Sequence, residues 1–308
     1  PTPNDFTVVD NLNRVGFRFK APIRDRYNTY IAKFDWMVDA DNRHQLFWRG
    51  NLQNDNAKSL PQFPGEPPNS QALNNSKGYA IGWNAMLRPN LISVTRYGLT
   101  RQGVENTGIQ TASAVTFRNI TPRYGLTTGL TQILPVHHAS QDFTWTRGAH
   151  NVQFGGTLRW IRNSRLSFQN SFHGAFTNVS WLRGTGADLR TNIRDMASTS
   201  FVAYYDAMLA TLGIVTQATA SYNYDIQGNV LPVGAPTRRK FAAEEFEMYA
   251  QDTWRVNRAL TVSAGLRYSL TPPIYEANGV QISSDQSIGE WFNKRGGLAD
   301  QGRSQLEA

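Results

Sequence analysis

From Leu260 the chain reads 260-LTVSAGLRYSL-270, and every second residue is apolar: Leu260, Val262, Ala264, Leu266, Tyr268 and Leu270. Thr261, Ser263, Gly265, Arg267 and Ser269 stand between them. Successive side chains of a strand point to opposite faces, so this segment builds one apolar face and one polar face. Either a second protein layer or lipid must cover the apolar face, and that choice decides what the chain can fold into. The alternation alone is compatible with both.

The stretch is the return arm of a hairpin. Its first arm runs from about Glu245 to Trp254, and Asn257 sits in the tight turn. A second copy lies upstream in 140-SQDFTWTRGAHNVQFGGTLRWIRN-163. Both copies carry Gln-Asp shortly before a tryptophan, as Gln141-Asp142 before Trp145 and Gln251-Asp252 before Trp254. The distance from Trp145 to Gly156 equals that from Trp254 to Gly265. Both then give Leu-Arg-aromatic, as Leu158-Arg159-Trp160 and Leu266-Arg267-Tyr268, with one extra residue in the first. The first copy's return strand places Val152, Phe154, Leu158 and Trp160 on one face. Two further hairpins lack the Gln-Asp signature. In 29–52, Tyr30, Ala32, Phe34, Trp36 and Val38 precede Leu46, Trp48, Gly50 and Leu52. In 78–100, Tyr79, Ile81, Trp83 and Ala85 share a face. The exterior of that return strand stays unassigned, because Leu91 and Tyr97 share one face while Ile92 and Val94 share the other.

The connections alternate in length. The turns near 38–43, 86–91, 146–150 and 256–259 are short, whereas 53–77, 102–131, 163–243 and the chain from 271 onward are long. Compact domains rarely carry several long loops, but short turns on one side and long loops on the other are the pattern of a membrane barrel. Leu260 to Tyr268 spans roughly 27 Å along a strand, or about 20 Å of height at a tilt of ~40°, close to the apolar band of such barrels. Trp254 and Tyr268 bracket this strand, and Trp145 and Trp160 bracket the other copy, as interfacial aromatics do. Soluble sandwiches also alternate, but their strands are shorter, at about 5–6 residues. The pattern therefore predicts an all-β fold: an antiparallel transmembrane β-barrel portion of about eight long strands in four hairpins, with long extracellular loops. The rival is a soluble β-rich binding module, in which Leu260, Val262, Leu266 and Tyr268 would pack on a second sheet.

Composition agrees with a two-faced sheet. Only 18% of the 308 residues are charged while 12% are aromatic, and mean hydropathy is negative. There is no cysteine, hence no disulfide framework. No apolar run reaches the ~18 residues of a spanning helix; the nearest, 201-FVAYYDAMLATLGIV-215, contains Asp206. The net charge is +8, but the arginines are scattered, and the densest cluster, Arg238-Arg239-Lys240, reads as solvated loop or lumen charge. No zinc spacing, RNP-like motif or helix-turn-helix pattern supports nucleic-acid binding. The start, PTPNDFTVVDN, has no signal-peptide character and the end, GRSQLEA, no closing feature. Both ends read as cuts, so that residues 1–308 form one incomplete barrel domain.

The long loop 163–243 holds the predicted fine structure. Phe201, Val202, Tyr205, Met208, Leu209 and Leu212 recur at helical spacing, with Ser198 or Thr199 as the start cap and Gly213 as the end. This predicts one short helix folded onto the loop's own core. The segment 221-SYNYDIQGNVLPVGAPTRRK-240 reads as a small glycine-turned hairpin at the loop tip, where Tyr222, Tyr224 and Asp225 are candidates to meet a sugar or peptide. The four prolines of 60-LPQFPGEPPNSQ-71 make a stiff loop crown, and the strand leading to Trp145 either starts after Pro135 or holds it at a rim. His137 and His138 are neighbours and would point to opposite faces, which suits a rim or loop pair rather than a metal site. Glu244, Glu245 and Glu247, placed before a strand, imply no convergent acid pair. No G-x-S-x-G, Walker or H-E-x-x-H motif is present, and the expectation is a chain with no enzymatic activity, no cofactor and no metal.

The string 248-MYAQDTWRVNRALTVSAGLRYSLTPP-273 resembles the late-barrel hairpin of TonB-dependent outer-membrane receptors. The string 144-TWTRGAHNVQFGGTLRWIRN-163 resembles their Gly-x-His-x-Val/Leu-x-Phe-Gly-Gly strand, and 27-YNTYIAKFDWMVDADNRHQLFWRGN-51 looks like a further barrel hairpin. The likeness is to the large Oar-like subset with a carboxypeptidase-regulatory-like N-terminal domain, and it covers most of residues 12–280. It implies a 22-stranded barrel around an internal plug, located in the outer membrane. It also implies uptake of a siderophore, cobalamin, glycan or peptide with energy passed from the inner membrane by the TonB protein. The plug, a TonB box and a closing strand are not recognisable in this chain. A porin-like or adhesive barrel without coupling is the alternative. In this reading Trp145, Trp160, Trp254, Tyr268, Leu260, Val262 and Leu266 face lipid or its interfaces, and Arg159, Thr261 and Arg267 face the lumen.

Overall fold

The alternating segments pair in chain order as one antiparallel meander. The computed structural model describes residues 2–7, 16–118, 120, 122, 124–178 and 197–307. Its main sheet contains β1 (Arg26–Met37), β2 (His44–Lys58), β3 (Ser70–Asn74), β4 (Lys77–Arg88) and β5 (Leu91–Gly108). It continues, after the short strand β6 (Ala114–Thr116) of a separate sheet, through β7 (Leu130–Arg147) and β8 (His150–Ser167). Two more short strands outside the sheet, β9 (Gly174–Phe176) and β10 (Gln217–Thr219), precede β11 (Thr237–Arg255) and β12 (Thr261–Leu270), and β13 (Tyr275–Glu276) pairs with the start of β11. β3 and β4 succeed one another between β2 and β5, so the sheet has eight long staves. The four expected hairpins are β1–β2, β4–β5, β7–β8 and β11–β12.

Each tight turn has its own chemistry. In the two-residue link between β7 and β8, Gly148 takes φ 61°, a left-handed position that a side chain disfavours. In the link from β11 to β12, Asn257 Oδ1 accepts the backbone N–H of Ala259 at 2.8 Å and of Leu260 at 2.9 Å, an Asx-type turn.

The strands run farther into the connections than their alternation predicts. β8 continues to Ser167 and β11 starts at Thr237, so the long loop is 168–236 and not 163–243. Strand pairing needs only backbone groups, whereas the apolar repeat lasts only as long as one face is covered by something apolar. In β11 the residues on the face of Phe246 turn polar above it, as Glu244, Lys240 and Arg238. Glu244, Glu245 and Glu247 consequently lie inside β11 and not before it. Pro135 also lies inside its strand. It pairs opposite Arg101 of β5, while the β7–β8 ladder skips Leu134 and Pro135, as a residue without an N–H requires. His137 and His138 sit within β7, not at a rim or in a loop, and point to opposite faces as expected.

Register carries one face through every stave. Trp36 lies opposite Leu46, Leu46 opposite Trp83, and Trp83 opposite Thr95. The row continues through Gln141, Gly156 and Met248 to Tyr268. It starts at the turn end of β1 and finishes near the loop end of β12. Trp36, Trp145 and Trp254 mark the same height beside three of the four tight turns. The row meets β7 four residues from Trp145 after four staves, and β11 six residues from Trp254 after six. A slip of one residue per stave, at ~3.3 Å along and ~4.8 Å across, corresponds to a strand tilt of about 35°. That is the tilt of membrane barrels.

Among the described residues no second sheet covers either face. On β12, Leu266 is 78% exposed and Tyr268 56%, which removes the sandwich arrangement. The accessible surface is 21453 Å², against roughly 13,000 Å² for a folded soluble monomer of this mass. Among the described residues the buried apolar side chains are few: Ala85, Tyr205, Leu209, Ala242, Ala243 and Leu298.

The loops hold a small assembly of their own. β6 pairs parallel with β9, and β9 antiparallel with β10. The predicted loop helix is α1 (Phe201–Leu212), which buries Tyr205 and Leu209 with Phe201 and Met208 packed against them. Gly213 ends it at φ 67°, as expected. Its N-cap is Ser200, without a side-chain capping bond, because a 3₁₀ turn over Ser198–Ser200 leads into it. A second helix, α2 (Ile288–Asp300), was not expected. Its sequence signal is 287-SIGE-290, in which Ser287 caps the N–H of Glu290. Among the described residues no helix is long and apolar enough to cross a membrane.

Candidate functional site

The sheet presents two chemically distinct faces, and the loop end of one of them opens into a cavity. On the apolar face, Trp145 pairs across from Val152, Trp160 from His137, Trp254 from Val262, and Tyr268 from Met248. Leu266 stands opposite Ala250, and Leu260 follows the turn. The six paired residues fall on this one face, and Leu260 lies just before β12. The ambiguous strand β5 is settled by its pairing: Tyr97 and Leu99 lie opposite Ile81 and Tyr79, so Leu91, Ser93, Thr95 and Tyr97 take the apolar side. The polar residues placed there bond to one another. Thr95 Oγ1 donates to Gln141 Oε1 at 2.6 Å, Gln141 Nε2 donates to Ser93 Oγ at 2.8 Å, and Tyr97 Oη lies 2.7 Å from His137 Nδ1. At the turn end His150 Nδ1 lies 2.6 Å from Asp252 Oδ2, and the His150 ring stacks on Trp254.

The opposite face is polar and cross-braced. Arg159 pairs with Glu245, and Arg267 with Glu247 at 2.8 Å. Tyr249 donates to Asp142 Oδ1 at 2.7 Å, and its ring lies beneath the Arg267 guanidinium. Arg159, Thr261 and Arg267 all belong to this face. The two Gln-Asp pairs are not equivalent. Gln141 lies on the apolar face and Asp142 on the polar one, whereas Gln251 lies on the polar face, donating to Gln153 at 2.6 Å, and Asp252 on the apolar one.

Above the polar face, loop residues 169–170 and 222–231 and the segment after β13 line a cavity of about 860 Å³. Its lining includes Tyr222, Tyr224 and Asp225, the three loop candidates, which the fold does bring together. The predicted hairpin is reduced to one bridge, Tyr224 with Val230, around a turn with Gly228 at φ 84°. Buried Asn223 fixes this segment by donating to Ser171 Oγ at 3.2 Å and the Ala235 carbonyl at 3.0 Å. Asp225 is engaged inside its own turn, accepting from the N–H of Gln227 and of Asn229 and from Asn229 Nδ2. The Asn229 side chain and backbone hold its carboxyl below the ordinary value. Asp225 is therefore a turn-forming residue. The Tyr222 and Tyr224 rings remain about half exposed. The lining also contains Arg165, Arg238, Arg239 and Phe241, which were not among the candidates. For Arg238 and Arg239 the signal was the densest basic cluster of the chain, but Arg165 joins Arg239 only through the β8–β11 register.

A family comparison agrees with this architecture. A family described as "Outer membrane beta barrel domain" matches residues 1–305. Among solved structures, the outer membrane transporter YddB from Escherichia coli is similar at a TM-score of 0.42 and 13% identity, over 83% of this chain and 29% of that one. The chain thus spans under a third of that transporter's length. No curated protein sequence matches. With a two-faced sheet tilted as membrane barrels are and nearly its whole length matched, the chain belongs to the outer membrane β-barrel domain family, resident in the outer membrane and embedded in its lipid bilayer.

Proposed function

We propose that the chain is part of the wall of a TonB-dependent, energy-coupled receptor of the Oar-like group that takes up a nutrient ligand. On this reading residues 1–308 are one incomplete barrel domain, and a plug and further strands belong to the same protein. The observation that carries it is the pairing of faces. One side of eight tilted staves is apolar and rimmed by aromatics, while the other is lined with ion pairs and hydrogen-bonding side chains. Lipid cannot satisfy backbone N–H and C=O groups, so a sheet that spans a bilayer closes on itself and keeps its polar face for a lumen. Trp145, Trp160, Trp254, Tyr268, Leu260, Val262 and Leu266 then meet the bilayer or its interfaces. Arg159, Thr261 and Arg267 line the lumen or touch the plug. Asn151 and Asn163 on that side hold buried amide oxygens with no protein partner among the described residues, which suits a wetted surface. The Gln-Asp–Trp hairpins and the Gly-Gly strand are the features shared with the receptor family.

Two measurements test this. The chain contains no cysteine, so single cysteines at 262 through 268 report cleanly in a full-length protein whose cysteines outside these residues, where present, are replaced. In intact outer membranes a water-soluble maleimide should label positions 263, 265 and 267 and spare 262, 264 and 266; uniform labelling would refute the assignment of faces. Ligand accumulation in cells should then collapse when the proton-motive force is removed. Accumulation indifferent to an uncoupler would identify a passive barrel instead.

A further inference from the structure

We propose that Arg165 and Arg239 form an oxyanion-binding site in the loop-end cavity, for a soluble ligand bearing a carboxylate or phosphate group. The two residues lie directly opposite in the β8–β11 register, both on the polar face. Like charges directly opposite on one face disfavour strand pairing, and the same two strands show how this chain usually answers a guanidinium. Arg159 has Glu245, Arg162 has Glu244 at 2.6 Å, and Arg267 on the neighbouring strand has Glu247. Among the described residues neither Arg165 nor Arg239 has a carboxylate partner. Both line the cavity, and its one lining carboxylate among the described residues, Asp225, is committed to its own turn.

The nearby Glu276 is committed as well. It accepts from the backbone N–H of Lys240 at 2.8 Å and of Asn278 and Val280 at 2.9 Å each. Burial pushes its carboxyl up, but these N–H groups outweigh that and hold it below its ordinary value. Charge on the cavity wall is thus left for an incoming anion. A guanidinium offers a planar fork that matches carboxylate and phosphate oxygens two at a time. Tyr222 and Tyr224, on the loop wall, supply flat apolar surface for the rest of the molecule. The site rests on the reading of the polar face as water-filled and adds a ligand class to it.

The test uses the full-length protein in detergent, with citrate and inorganic phosphate as separate probes titrated calorimetrically at moderate salt. The unaltered protein should bind at least one of them, and the double variant Arg165→Gln with Arg239→Gln should weaken that binding at least tenfold. Arg147→Gln, at the opposite end of the sheet beside Trp145, should leave it unchanged. The pair Arg165→Lys with Arg239→Lys retains charge without the fork and folds more safely; it should lose several-fold. Binding of neither anion by the unaltered protein, or equal affinity in all variants, overturns the site. Uptake that ignores the uncoupler, with binding still lost in the double variant, would count against coupled transport and for the anion site.

Discussion

The hairpins β7–β8 and β11–β12 share a signature in sequence and differ in what it does. In the first, Gln141 serves the apolar face, tying Ser93 and Thr95 together, and Asp142 anchors Tyr249 on the polar face. In the second, Gln251 braces Gln153 on the polar face, and Asp252 meets His150 beside the turn-end tryptophan. The cause is one residue. Two residues separate Asp142 from Trp145 but only one separates Asp252 from Trp254, and a period of two turns that into opposite faces. The glycines behave the same way. Gly156 and Gly265 match by distance from the tryptophan, yet Gly156 is on the apolar face. The counterpart of Gly265 is Gly155, and a Cβ on either would collide: 2.5 Å from the Gln141 carbonyl oxygen for Gly155, 2.6 Å from Gln251 Cβ for Gly265. A motif in a strand is aligned by its face and only then by its letters.

The most damaging way to break the contrast is to erase it. Inserting one residue between Asp252 and Thr253 gives the second hairpin the spacing of the first, and everything upstream in β11 changes face or bulges. The full-length protein should then lose its heat-modifiable folded band on gels. Next comes charge on the face itself. Leu266→Arg should cost ~2–4 kcal/mol in urea unfolding from vesicles, while Ser263→Arg on the other face of the same strand should stay within ~0.5 kcal/mol; equal costs would remove the distinction between faces. Tyr249→Phe deletes the bond that reaches from the second hairpin to Asp142 of the first, with an expected loss of about 1.5 kcal/mol by the same measurement. Asp252→Asn should have the smallest effect, a few tenths of a kcal/mol, because its pair with His150 is more than a third exposed. A larger loss than for Tyr249→Phe would reverse the ranking.

Much of the wall could be read before folding. The four hairpins, their turns and the facing sets such as Tyr30–Trp36 and Tyr79–Ala85 follow from alternation, because a covered face imposes it residue by residue. β5 resisted since its apolar side carries Ser93 and Thr95 while Ile92 and Val94 sit on the polar side; only the neighbour Gln141 makes that arrangement sensible. Strand ends were misplaced where the cover stops, at Arg162 and Glu244. The helix over 288–300 has a short local signal, 287-SIGE-290, but no apolar repeat to extend it. The cavity was half legible: Tyr222, Tyr224 and Asp225 stood out as a local loop tip, but Arg165 and Arg239 are distant in sequence and become one feature only through the β8–β11 register.

The aromatic lines at the two ends of the staves also act as a gauge. From Val152, level with Trp145, to Trp160 is eight residues, or about 22 Å of height at the register-derived tilt. A wall of that height matches a thin bilayer, and bacterial outer membranes are thinner than average. Fatty-acyl length thereby becomes a variable that the protein senses. In synthetic vesicles it should insert and fold fastest with short-chain phospholipids and progressively more slowly as the hydrocarbon layer outgrows the distance between its tryptophans.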